Sequence, residues 1–155
     1  MNNEEYILET VRISESNMED GGGPFGAIIV KDNEIIARAG NTVTSSNDPT
    51  AHAEINAIRK ASQYLENFDL SGCILYSSCE PCPMCLGAIY WARLDRVYFA
   101  AGKEDAKDAG FDDSFIYSEI KKPFDRRSIQ NIQIMRDEAY EVLKKWKQKE
   151  DKIQY

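Results

Sequence analysis

His52, Glu54, Cys82 and Cys85 are the residues of this chain best equipped to do chemistry together. Imidazole nitrogen and thiolate sulfur are usual protein ligands of zinc, and a carboxylate two residues from one ligand can move protons for a water that the metal activates. The thiols lie in SSCEPCPMC at 77–85, where Cys79 stands a further three residues upstream, and His52 is the one histidine of the chain. This run permits two zinc sites. With all three cysteines and His52 the metal is closed and structural; with Cys82 and Cys85 alone a fourth position stays open for water.

The spacing favours the open site. Cys82 and Cys85 lie about 60° apart around a helix, so both can reach one ion from a first turn that opens at Pro83. The dipole of that turn and the metal both favour thiolate. His52 and Glu54 would be about 160° apart in mid-helix, so they can serve the same ion only near a helix start. Asp48 or Thr50 as N-cap, with Pro49 in the first turn, supplies such a start. Two helix dipoles then oppose the cation, and thiolates with a hydroxide must offset them. Pro81 drives Glu80 toward extended geometry, which leaves Cys79 at a strand end as a packed thiol on the side of Cys73, Leu75 and Ser77. A site closed by Cys79 would also leave Glu54 without a purpose. Thioredoxin-like chemistry, another use of Cys-x-x-C, explains neither Pro83-Met84 nor the upstream H-A-E.

The elements that must position these residues can be read from periodicity. Tyr6, Ile7, Val11, Ile13 and Met18 recur in a loosely helical pattern over 3–18. GAIIVK at 26–31 and EIIARAG at 34–40 flank Asp32-Asn33 as a hairpin. Ile55, Ile58 and Leu65 predict a helix from Asp48 to Leu65. CILYSS at 73–78, PMCLGAIYWAR at 83–93 and RVYFAA at 96–101 read as strand, helix and strand, a right-handed crossover between parallel strands. Residues 109–128 read as loop with a helical turn, IQNIQIM at 129–135 as a strand, and 137–152 as a closing amphipathic helix whose lysines form a solvated face. GGGPFG at 21–26 matches G-x-G-x-x-G, but a helix precedes it and a strand follows, the reverse of a dinucleotide site. Its glycines read instead as a flexible entry to the hairpin, where Phe25 either faces a substrate or packs in the core.

Composition narrows the function classes. With 155 residues, 43% of them hydrophobic, the chain suits one domain. Its apolar runs fall far short of the ~20 residues a bilayer span needs. The acids in MNNEEYILET replace the basic and apolar regions of a secretory signal, and three of the four cysteines fall within seven residues, unlike a disulfide framework. The expected address is cytoplasmic. Against 19 basic residues stand 26 acidic ones, a net charge of −7 that repels nucleic acid and suits a small uncharged or cationic substrate.

H-x-E followed by P-C-x-x-C is the signature of zinc nucleobase deaminases. DPTAHAEI at 48–55 and SCEPCPMCLGAIYWAR at 78–93 resemble the cytidine deaminase-like superfamily, in which bacterial tRNA adenosine deaminases carry a very similar block. GGPFGAIIVKD, TSSNDPTAHAEI, YSSCEPCPMC and AGFDDSFIYSEI together resemble bacterial guanine deaminases, well over residues 20–120 and loosely outside them. The resemblance implies an α/β fold, a three-layer α/β/α sandwich around a five-stranded mixed sheet, in a single domain. It implies zinc on His52, Cys82 and Cys85, Glu54 as proton shuttle, and hydrolysis of guanine to xanthine and ammonia. It also implies that Asn41 hydrogen-bonds the purine, that Phe25 and Trp91 pack around it, that Ala53 belongs to the substrate-binding set, that Asp113 reads its polar edge and that Tyr155 helps close the pocket. A homodimer exchanging segments around 121–155 is implied too. Two other readings stay open: deamination of adenosine in tRNA or of cytosine or a triazine, and a zinc-stabilised binding module with Cys79 as fourth ligand.

Overall fold

In the computed structural model, which describes all 155 residues, Asp32 and Asn33 take φ of 49° and 65° and close the hairpin of β1 (Gly23–Lys31) and β2 (Glu34–Asn41). Positive φ at both central positions gives the turn whose twist suits two antiparallel strands, and Asp and Asn tolerate it. β3 (Cys73–Cys79) pairs antiparallel with β1, and β4 (Arg96–Ala101) pairs parallel with β3, for a sheet order of β2-β1-β3-β4. A parallel step needs a crossover, and α4 (Pro83–Trp91) supplies it.

Alternation along the strands sorts the core into two layers. Ala27, Ile29, Cys73 and Leu75 pack with Ala57 and Ala61 of α3 (Ala53–Leu65) and with Ile89 of α4. Ile28, Val30 and Tyr76 pack on the other face with Tyr6 of α1 (Asn3–Glu19). Ile28, Ile29 and Leu75 are fully buried, each contributing roughly 2–3 kcal/mol by removal from water. The strand ends that reach the site therefore project from a stiff platform. α1 starts on a capping box between Asn2 and Glu5. It is tied to the sheet by Tyr6 Oη donating to the Asn33 carbonyl (2.7 Å) and Tyr76 Oη donating to Asn3 Oδ1 (2.7 Å), which satisfies two buried hydroxyls.

These elements, with the short helices α2 (Val43–Ser46) and α5 (Lys103–Asp108), belong to a unit of residues 1–113. A second unit, residues 114–155, holds α6 (Ser114–Lys121), a 3₁₀ turn (Phe124–Arg126) and α7 (Arg136–Gln148). The expected strand at 129–135 does not form, and the sheet has four strands rather than five. Ile132 and Ile134 do alternate with polar neighbours, but with Ile129 they are 75–78% exposed and lie in no β-ladder. Alternation supplies a face, whereas a strand also needs a partner. Within residues 109–128, expected as loop with a helical turn, α6 takes up 114–121 and the 3₁₀ turn 124–126. No helix is long and apolar enough to cross a membrane.

Candidate active site

α3 begins later than its sequence suggests. Asp48 Oδ1 accepts from the Thr50 N–H (2.8 Å) and from Thr50 Oγ1 (2.6 Å), a local turn that competes with helix and delays it. The N-cap is consequently His52 itself, with φ −67° and ψ 156°. Cys82 holds the same place in α4, with φ −67° and ψ 169°, and Pro83 follows as the first helical residue. An extended N-cap residue throws its side chain across the end of the helix axis, the position from which serine or aspartate would normally cap. Here two such residues aim at a common point, joined by Cys85 from the first turn of α4.

The imidazole Nδ1 of His52 lies 3.6 Å from Cys82 Sγ and 3.5 Å from Cys85 Sγ. The ligand atoms of these three residues fall within 4.8 Å of one another. Zinc–nitrogen and zinc–sulfur bonds at tetrahedral angles would separate nitrogen from sulfur by about 3.5 Å, so the donor set fits that ion closely. Cys79 lies outside the group; it is buried at the end of β3.

The electrostatics separate the thiols. A hydrogen bond from Cys85, helped by one with His52, pulls Cys82 down to about 4, while the hydrogen bond to Cys82 and burial push Cys85 well up. Without a metal the pair thus shares one proton, and a dication would bind both as thiolates. The bond with Cys82 also holds His52 above its ordinary value. Burial pushes Cys79 up to about 11, so that thiol stays protonated at neutral pH. Glu54, the second residue of α3, is 6% exposed and within hydrogen-bond reach of Cys85; burial raises its carboxyl. A buried carboxyl whose neutral form is accessible can take up and hand on a proton.

Asn41 ends β2, is buried, and accepts from the Val43 N–H through Oδ1 (3.1 Å), which leaves its NH₂ as the group to present. Ala53 lies fully buried between His52 and Glu54. Phe25 packs at the core edge and meets Phe111 edge-on, with ring centroids 4.9 Å apart. Asp113 is within electrostatic range of Cys82 and Glu80, and burial first, then those charges, raise its carboxyl. Trp91 ends α4, about 9 Å along the helix axis from Cys85 and about 14 Å from Cys82, and is exposed. Tyr155 belongs to the second unit and is exposed.

Three supporting residues escaped the sequence reading. Asn56 Nδ2 donates to Gly40 O (3.0 Å), Thr42 Oγ1 (3.0 Å) and Ala51 O (3.3 Å), binding the end of β2 to the start of α3. Its place four residues after His52, one helical turn on, is the signal that could have found it. Glu80 accepts from the Lys103 N–H (3.0 Å) while its own N–H donates to Ala101 O (2.8 Å), so the loop carrying the thiols is fastened to α5. Phe111 stands two residues before Asp113 but carries no sequence pattern of its own.

Residues 1–101 match the family model described as the cytidine and deoxycytidylate deaminase zinc-binding region. The chain is 53% identical over its full length to guanine deaminase of Bacillus subtilis strain 168, all of which is covered. A crystal structure of Bacillus subtilis guanine deaminase superposes with a TM-score of 0.97 at 52% identity, covering 100% of this chain and 99% of that one. The tRNA-specific adenosine deaminase of Aquifex aeolicus is 44% identical over 101 residues, 65% of this chain and 67% of that protein.

Proposed function

Because the chain belongs to the cytidine and deoxycytidylate deaminase zinc-binding family, we propose that it is a guanine deaminase, hydrolysing guanine to xanthine and ammonia with zinc held by His52, Cys82 and Cys85. The observation that carries this reading is the extent of the match. Similarity to a guanine deaminase runs end to end, whereas that to the tRNA-specific adenosine deaminase covers 65% of the chain. A net charge of −7 also disfavours a polyanionic substrate.

When bound, zinc lowers the pKa of a coordinated water to about 7 and so supplies a nucleophile at neutral pH. The remaining work falls to side chains. Glu54 takes one proton of the attacking water and delivers it to the purine N3, then moves the remaining proton from the new C2 hydroxyl to the amine, which leaves as ammonia as C2 becomes a carbonyl. Asn41 donates its free NH₂ to the base, Asp113 reads the polar edge, and Phe25 packs against the ring, holding C2 in reach of attack. We assign no such contact to Trp91 within its own subunit.

The same reading makes the protein a homodimer that exchanges C-terminal segments, each bringing Tyr155 to a pocket. It is supported by Ile129, Ile132, Ile134, Val142 and Leu143, apolar side chains of the second unit that are more than half exposed in the single chain. A cytoplasmic address would keep Cys82 and Cys85 reduced and available to the metal. The deciding experiment offers the zinc-loaded protein guanine, adenine, cytosine and adenosine-containing tRNA, and measures ammonia. Release from guanine is expected; release from tRNA alone overturns the assignment.

A further inference from the structure

We propose that Asn17, on α1, is a positioning residue for the base: it sets where Asn41 presents its amide. The proposal rests on the assignment of Asn41 to base binding made above. Asn17 Nδ2 donates to the carbonyl oxygens of Gly23 (2.7 Å) and of Asn41 itself (2.9 Å). Gly23 and Asn41 are cross-strand partners at the open end of the β1–β2 ladder, and the register breaks between Gly23 and Gly26. The strand ends are therefore clasped by a side chain where the backbone ladder is interrupted.

Two glycines make room for that clasp. A Cβ at Gly40 would run into the Asn17 amide and stand 3.0 Å from its Cβ; one at Gly22 would stand 2.9 Å from Asn17 Cγ and 2.9 Å from the Asn41 carbonyl oxygen. Neither glycine has positive φ, so backbone conformation does not require glycine there, and space does. An apolar side chain at position 17 would leave two carbonyls without their donors. Asparagine serves both from one amide, and both of its hydrogens are used.

Residues 40 and 41 are gripped from the two core layers at once. Asn17 holds the Asn41 carbonyl from the α1 side, while Asn56 of α3 holds the Gly40 carbonyl. Asn56 is itself one turn beyond His52, whose carbonyl its N–H bonds at 2.9 Å. Between these grips the Asn41 Oδ1 is fixed by Val43, so the direction of its NH₂ follows from where its backbone is held. Releasing Asn17 frees the base-binding amide while leaving the metal ligands and Glu54 in place.

The test uses the zinc-loaded full chain and a double-mutant cycle. Asn17→Ala should raise KM for guanine about tenfold with a smaller change in kcat and unchanged zinc content. In an Asn41→Ala background the same change should cost under about twofold, because its route to the substrate is gone. Equal costs in the two backgrounds, or an unchanged KM, overturn the proposal. A second arm needs no turnover and so stands apart from the guanine assignment: Gly40→Ala should lower Tm in the wild type but far less in Asn17→Ala, whose slot is vacant. Additive shifts in Tm overturn the clasp itself. If Asn17→Ala folds poorly, Asn17→Ser, whose hydroxyl ends one bond short of the Nδ2 position, carries both arms with effects in the same directions.

Discussion

His52, Glu54, Cys82 and Cys85 are delivered by the starts of two helices, whereas Asn41, Phe25 and Asp113 are carried by strand ends and a loop. On the metal side, a few consecutive peptide units fix the distances: two N-cap residues and a thiol three positions on meet because helix geometry allows little else. On the side proposed to hold the base, positions are set by side chains remote in sequence, Asn17, Asn56 and Glu80, acting on backbone carbonyls and amides. The contrast predicts abrupt losses when the metal side is altered and graded losses, visible in KM, when the base side is.

The largest effect should follow Cys82→Ser or Cys85→Ser. Each removes a thiolate from a three-ligand site, so zinc content should fall far below one per chain and activity should vanish. Stability should drop as well, because a metal that binds the folded state alone stabilises it by about 4 kcal/mol at a thousandfold excess over its Kd. Metal analysis with thermal melts checks this, and zinc retained in either variant breaks the metal half of the comparison. Next comes Glu54→Gln, which should keep zinc and lose roughly 10²–10⁴-fold in kcat, the usual contribution of a positioned acid–base group. Wild-type turnover in that variant would remove Glu54 from the mechanism.

The same contrast decides what could be read from sequence. Helices, hairpin, crossover and the metal constellation each leave a short-range pattern: Asp32-Asn33 for the turn, Pro83 for a helix start, Cys-x-x-C for a shared face. α3 starts later than its cap residues imply because Asp48 and Thr50, good caps by type, spend their side chains on each other. No strand forms at 129–135 because an apolar pattern shows only one side of a pairing. Asn17 and Glu80 leave no such pattern: their partners are backbone atoms as far as 24 residues away, and backbone atoms have no letter in the sequence.

On the base side, Glu80→Ala should detach α5 and the Phe111–Asp113 stretch from the thiol loop, raising KM for guanine about fivefold while zinc is retained. Glu80→Gln keeps an oxygen to accept the Lys103 N–H and should stay within about twofold of wild type. Lys103→Pro tests the same bond from its other end, since proline at a first helical position lacks the donor yet suits the helix. If Glu80→Gln is as impaired as Glu80→Ala, charge rather than the hydrogen bond is responsible, and the distinction between a rigid metal side and a propped base side weakens.

The smallest effect belongs to Cys79→Ser, and it sharpens the boundary between the two regions. Cys79 sits three residues from Cys82, as Cys82 does from Cys85, yet it ends a strand instead of starting a helix, and its thiol is held up at about 11 by burial. Replacing sulfur with a hydroxyl in that packed place should cost about 1–3 kcal/mol of stability, with zinc and turnover nearly unchanged. Chemistry should separate the thiols as well. In chelator-treated protein at pH 7, iodoacetamide should modify Cys82, which is held down to about 4, and leave Cys79 intact, because the thiolate is the reactive form and Cys79 is both protonated and buried. Zinc added back should protect Cys82 and change nothing at Cys79. Mass spectrometry of the two peptides reads the outcome directly, and protection of Cys79 by zinc would turn the open site into a closed one.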